Sequence, residues 1–77
     1  MGESGDVVHN RVAMLRAERG ISRRDLAEAL GVHYQTIGYL ERGEYSPSLH
    51  LAFRIAAYFD VSVEVVFSLK PFKRLGG

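Results

Sequence analysis

The sequence predicts an all-α domain of five short helices, and three observations carry that prediction. Apolar residues recur at helical spacing from position 12 to position 67. Ser or Asn stands where helices would start, and Gly where two of them would stop. Positions 22–43, SRRDLAEALGVHYQTIGYLERG, read as two helices broken by a tight turn. Within them Ala27 is small enough for a second helix to cross closely. Gly31 can take the positive φ of a sharp helix exit, and Ile37 points back to lock the second helix on the first.

The first helix is expected over about 10–19, with Asn10 as N-cap, Val12 and Leu15 in its apolar stripe together with Ala13 or Met14, and Gly20 as its C-terminal stop. Ile21 then turns into the core, and Val7 and Val8 upstream are extended. The second helix starts on Ser22, with Asp25 three residues later completing a capping pattern. Leu26, Ala27 and Leu30 face inward, and Arg23, Arg24 and Glu28 outward. The third helix runs over about 34–42, with His33 at the N-cap, where the residue type predicts a weak cap.

Residues 42–48 form a loop, because Pro47 keeps Ser46 out of the α region. Ser48 caps a fourth helix over 49–59. Leu49, Ala52, Phe53, Ala56 and Phe59 form one apolar row and Leu51, Ile55 and Tyr58 a second, a surface wide enough to be covered from more than one side. Asp60 to Ser62 make a turn, Ser62 caps, and a short fifth helix covers about 63–67. In the tail, Phe67 and Leu69 alternate with Ser68 and Lys70 in a strand-like pattern that Pro71 confines to an edge or an end. Such a strand pairs either with residues 7–9 or with the same tail of a second subunit. The organisation is thus a flexible lead over 1–9, a domain over 10–67, and a tail over 68–77 that is a candidate dimerisation strand.

Seventy-seven residues make one domain, short enough that oligomerisation would help its stability. The absence of cysteine leaves no disulfide framework and no thiolate metal site, which suits a reducing compartment, and a cytoplasmic location is expected. Apolar runs of a few residues span no membrane, and positions 1–6 lack the features of a signal peptide. The net charge of +1 gives only weak support for a polyanionic partner. Its distribution adds some: Arg11, Arg16, Arg19, Arg23 and Arg24 cluster early, and Lys70, Lys73 and Arg74 come late. No Gly-rich phosphate loop and no cysteine nucleophile occur, and His9, His33 and His50 have no carboxylate pattern around them. The chain is therefore not expected to be an enzyme or to hold a metal, cofactor or small-molecule ligand.

The chemistry lies on the third helix. Ile37 and Leu40 point inward, while Gln35, Tyr39 and Arg42 lie on the opposite side at i, i+4 and i+7, flanked by Tyr34 and Gly38. A glutamine can pair with the N6 and N7 edge of adenine, worth about 1–3 kcal/mol of discrimination, and tyrosines can pack on thymine methyls or donate a hydroxyl. This face suits the major groove of double-stranded DNA. Arg23, at the start of the second helix, and Arg42, Tyr45 and Ser46, after the third, are candidate phosphate contacts. A mid-helix glycine costs about 1 kcal/mol relative to alanine. Gly38 reflects either close approach to the duplex or tolerance at an exposed site.

On these residues the chain resembles the Cro/C1-type (Xre family) helix-turn-helix transcriptional regulators. The matching residues are Leu15-Arg16, Glu18-Arg19-Gly20-Ile21-Ser22, Asp25-Leu26-Ala27, Leu30-Gly31-Val32, Gln35-Thr36-Ile37, Leu40-Glu41-Arg42-Gly43, Pro47-Ser48-Leu49, Ile55-Ala56, Val61-Ser62-Val63 and Val66-Phe67. The resemblance implies a five-helix, lambda-repressor-like DNA-binding domain acting as a homodimer on a palindromic operator, with Tyr34, Gln35, Thr36 and Tyr39 at the base-reading positions. It also implies an Arg16–Glu41 salt bridge tying the first helix to the third. Three positions depart from the family pattern. Arg23 stands where glutamine is usual; it keeps the phosphate role but would lose an amide contact to the recognition helix. His33 replaces a small hydroxyl residue, and Gly38 a polar one. Val63, Val66, Phe67 and Leu69 offer more apolar surface than one small domain covers and are the expected dimer contacts. The expected activity is that of a repressor. The alternative on the same fold is an antitoxin-like or accessory protein-interaction module, with Phe72 and Leu75 facing its partner.

Overall fold

Among the described residues, three of the five helices begin on an N-cap side chain that accepts a backbone N–H, which is what a first turn lacks. The cap expected at Ser62 is not among them, since Ser62 stands at the N-cap position but its side chain makes no such bond. The computed structural model describes residues 8–72; the sequence expectations on Val7, Lys73, Arg74 and Leu75 and on the lead before residue 8 lie outside them. The elements are β1 (His9–Asn10), α1 (Val12–Glu18), α2 (Arg23–Leu30), α3 (Tyr34–Glu41), α4 (Leu49–Phe59), α5 (Val63–Val66) and β2 (Phe67–Ser68).

Ser22 and Asp25 form a complete capping box: Ser22 Oγ accepts from the Asp25 amide at 2.9 Å, and Asp25 Oδ2 accepts from the Ser22 amide at 3.2 Å. Ser48 Oγ accepts from the Leu51 amide at 3.0 Å and starts α4. α1 starts two residues later than expected. Asn10 lies in β1, but its Oδ1 still accepts from the Val12 amide at 3.0 Å, while its Nδ2 donates to the Leu40 carbonyl at 2.8 Å. Gly31 ends α2 at φ 74°, the turn that swings α3 across α2.

The core joins Val12 and Leu15 of α1, Leu26, Ala27 and Leu30 of α2, Ile37 and Leu40 of α3, Leu51, Ile55, Ala56 and Phe59 of α4, and Val66 of α5. Two arginines close helix ends from across the fold. Arg19 donates to the Phe59 carbonyl at 2.8 Å, and Arg54 to the Leu30 carbonyl at 2.7 Å, each at the C-terminus of another helix, where a cation is favoured.

α5 is one turn long. Phe67, expected within it, is extended and forms β2, which pairs antiparallel with β1 in the register His9↔Ser68, Asn10↔Phe67. Of the two expected partners for this strand, the N-terminal segment of the same chain is the one that makes the pairing here. The Arg11 amide extends it by donating to the Val66 carbonyl at 2.9 Å. Among the described residues no helix is long and apolar enough to cross a membrane.

Candidate nucleic-acid interface

α3 is held from beneath and from both ends, which leaves its outer face free. Ile37 and Leu40 are fully buried below it, Thr36 is half-buried, and Tyr34, Gln35 and Tyr39 are exposed. At its start His33 does make a cap: Nδ1 accepts from the Gln35 amide at 3.1 Å, so the weak cap expected of this residue is a formed one. At its end Gly43, at φ 76°, turns the chain back, and the Glu44 amide donates to the Tyr39 carbonyl at 2.9 Å. Gly38 is buried, so tolerance at an exposed site does not account for it. A Cβ there would lie 3.3 Å from Arg42 Nη1, and the missing side chain is what lets the guanidinium lie over the helix.

Glu41 ties α3 to the two preceding helices. Its side chain is only 3% exposed. Arg16 Nε donates to Oε2 at 2.7 Å and Nη2 to Oε1 at 3.2 Å, while Nη1 donates to the Ile21 carbonyl at 3.0 Å. Arg23 Nε donates to Oε1 at 3.0 Å. Burial pushes the Glu41 carboxyl upward, but the hydrogen bonds and charges of Arg16 and Arg23 outweigh it and hold the group below the usual carboxylate range. The hydrogen bond to Glu41 correspondingly raises the Arg16 guanidinium against a smaller effect of burial. Arg23 makes no amide contact to α3, as its replacement of glutamine implied, but it is not detached from that helix. It meets the Glu41 carboxylate instead, and its side chain remains 48% exposed.

Arg23, Tyr34, Gln35, Gly38, Tyr39 and Arg42 line one shallow hollow along α3. Arg42 leans across it, 5.2 Å from the Tyr39 ring centroid, and is paired with Glu44 (Nε to Oε2, 3.2 Å). Tyr45 and Ser46 follow in an exposed loop. The sequence reading gave no role to Arg24 or Glu44. Arg24 sits 4.2 Å over the Tyr34 ring, which also stacks on His33 at 5.0 Å. The spacing from position 24 to position 34 crosses the turn between helices and has no helical signature, so local pattern does not reveal this stack.

The four apolar residues expected at a dimer surface separate. Val66 has 0% exposure and belongs to the protomer's own core, because α5 lays it directly on the other helices. Val63 and Phe67 are half-buried against that core, and only Leu69, at 78%, stands clear. The larger apolar face lies on α4, where Leu49 is 71% and Phe53 56% exposed one turn apart, beside a groove reaching Ala57, Val61 and Val63. Among the described residues no group of His, Asp and Glu is placed to hold a metal ion.

A short helix laid across another, with its polar and aromatic outer face bordered by arginines, defines a helix-turn-helix DNA-binding domain. The chain belongs to the helix-turn-helix (HTH_3) family of the Xre/Cro–C1 type, whose model matches residues 12–66; this is a family of DNA-binding transcription regulators, not of enzymes. It is 47% identical over 58 residues to an HTH-type transcriptional regulator of Methanocaldococcus jannaschii, covering 75% of this chain and 88% of that protein. It is 44% identical over 61 residues to the HTH-type transcriptional regulator YgzD of Bacillus subtilis, covering 79% and 92%. Among solved structures it resembles the biofilm master regulator SinR in complex with DNA, with a TM-score of 0.64 and 34% identity over 70% of this chain and 87% of that one.

Proposed function

We propose that this chain is a sequence-specific repressor that binds double-stranded DNA as a homodimer on a palindromic operator. The observation that carries the reading is the free outer face of α3. Tyr34, Gln35 and Tyr39 are exposed on a helix whose inner face is locked into the core, and Arg23 and Arg42 border the same hollow. Tyr34, Gln35, Thr36 and Tyr39 read bases, with Gln35 on an adenine edge. Arg23, Arg42, Tyr45 and Ser46 hold the backbone. The Arg42–Glu44 pair is exposed on both sides and worth little, so a phosphate can displace the carboxylate.

The dimer face follows from exposure. Leu49, Phe53 and Val63 supply an apolar band on α4 and the start of α5, with Leu69 a separate exposed contact. Two-fold symmetry then sets the recognition helices roughly 34 Å apart, in successive major grooves, and repression follows from occupying the site. A selection from random duplexes tests class, symmetry and spacing together. The expected result is an inverted repeat with half-sites about one helical turn apart. A selection that enriches no inverted repeat overturns the reading. A stoichiometric protein partner, with DNA binding indifferent to changes in α3, would favour the interaction module instead.

A further inference from the structure

We propose that His33 is a positioning residue for base reading, and that its protonation state sets how sharply α3 discriminates between DNA sequences. The second part rests on the DNA-binding reading above; the first rests on the free protein alone. His33 caps α3 by accepting the Gln35 amide proton on Nδ1, at 3.1 Å. An imidazole nitrogen accepts only when it carries no proton, so the cap requires the neutral ring with its hydrogen on Nε2. Protonation sets an N–H against the Gln35 N–H, and it adds a positive charge at the positive end of the helix. The groups around the ring are Tyr34 of α3, stacked at 5.0 Å, and Arg24 of α2, 4.2 Å over that tyrosine; Glu28 of α2 lines the same hollow. Arg24 and Glu28 thus bring one charge of each sign to the hollow that the ring lines.

The cap fixes the first turn of α3, which is Tyr34, Gln35 and Thr36, three of the four base-reading positions. Serine, threonine or asparagine would cap here without titrating, whereas histidine changes charge between pH 5 and 8. Neutral His33 holds Gln35 in register for its base. The imidazolium releases that turn and adds a cation near the phosphates, which strengthens binding to any sequence. Acidification thereby shifts the protein from selective to indiscriminate binding.

The test compares the wild type with His33→Asn, which caps without titrating and leaves His9 and His50 in place as a shared background. Affinities are measured at pH 8 and pH 5.5 for a duplex enriched from the random pool and for an unrelated duplex. The wild-type affinity ratio is expected to fall roughly tenfold on acidification, the size of one lost base contact, and the His33→Asn ratio to stay constant. A wild-type ratio that does not change, or a His33→Asn ratio that falls equally, overturns the proposal. Nitrogen-15 NMR of the free protein decides the cap without DNA. The expected result is an Nε2–H tautomer at pH 8 and a Gln35 amide signal that moves as His33 titrates. A stationary Gln35 amide overturns the cap itself. If selection enriches nothing, the DNA reading falls while the NMR result still decides the role of His33 in α3.

Discussion

Arg23 and Glu41 are joined at 3.0 Å across the helix-turn-helix, on a carboxylate that Arg16 already holds at 2.7 Å. One buried acid therefore ties α2 to α3 and at the same time orients a half-exposed arginine at the edge of the outer face of α3. With Arg23 a phosphate contact, as proposed, stability and binding meet in this group, and they can be separated from its two sides.

Glu41→Gln keeps the shape and removes the charge. Hydrogen bonds to charged groups are each worth about 1.5–3 kcal/mol, and the variant leaves two guanidinium groups facing a neutral amide, so a loss of roughly 2–3 kcal/mol is expected. The pH dependence follows from the lowered carboxyl. Its contribution is complete above the ordinary value of 4.5 and is lost as pH falls through the lower value of the folded state. Urea midpoints between pH 7 and pH 2 should show the wild type losing its advantage over Glu41→Gln below about pH 4.5. An advantage that persists unchanged to pH 2 would show that the pair adds no acid-sensitive stability.

Arg23→Ala approaches the same cluster from its exposed side. Arg16 still satisfies both carboxylate oxygens, so the stability cost should stay within about 1 kcal/mol, as for other half-exposed pairs. DNA affinity should fall for every duplex alike, and the slope of log affinity against log salt should shrink by about one. A variant that loses preference at one base position, with its salt slope intact, would move Arg23 from the backbone to the bases.

The sequence made those parts of this arrangement legible that depend on near neighbours. Ser22 with Asp25 announces a capping box, Gly31 a helix exit, and Ser48 with an unbroken apolar repeat marks α4 to the residue at both ends. The Arg16–Glu41 bridge was legible only through family resemblance, since 25 positions separate its ends. Nothing local pairs Arg23 with Glu41, Arg24 with Tyr34, Arg19 with the Phe59 carbonyl or Arg54 with the Leu30 carbonyl. A one-turn helix also has too few residues for periodicity to choose a buried face. That is why Val66 read as surface and lies in the core. Phe53 misled for a different reason: the apolar surface of α4 is wider than the face its own core covers, so periodicity places Phe53 in an apolar row without saying that it stands exposed.

Gly38→Ala separates folding from binding. Alanine gains about 1 kcal/mol of helix propensity over glycine, and the only close contact is the tip of a flexible arginine, which can shift by a few tenths of an ångström. Thermal unfolding should therefore move upward. The new methyl narrows the hollow between Arg23 and Arg42, so affinity for the selected duplex should drop even as the domain gains stability. A lower midpoint would mean that Arg42 cannot yield and that its place over the helix is part of the fold.

Phe53→Ser and Val66→Ala distinguish the surface of the protomer from its interior. Phe53 is more than half exposed, so its loss should leave the unfolding midpoint of a dilute monomer nearly unchanged and weaken self-association. Val66 is fully buried, and removing two methyl groups while leaving a cavity should cost roughly 2 kcal/mol at any protein concentration. Sedimentation equilibrium across a concentration series reads association, and urea unfolding of the same samples reads stability. If Phe53→Ser dimerises like the wild type while Leu69→Ser does not, the interface lies at the β2 end of the domain and not on α4. Because a dimer of fixed geometry sets the half-site spacing, Phe53→Ser should also bind an inverted repeat with little more affinity than a single half-site.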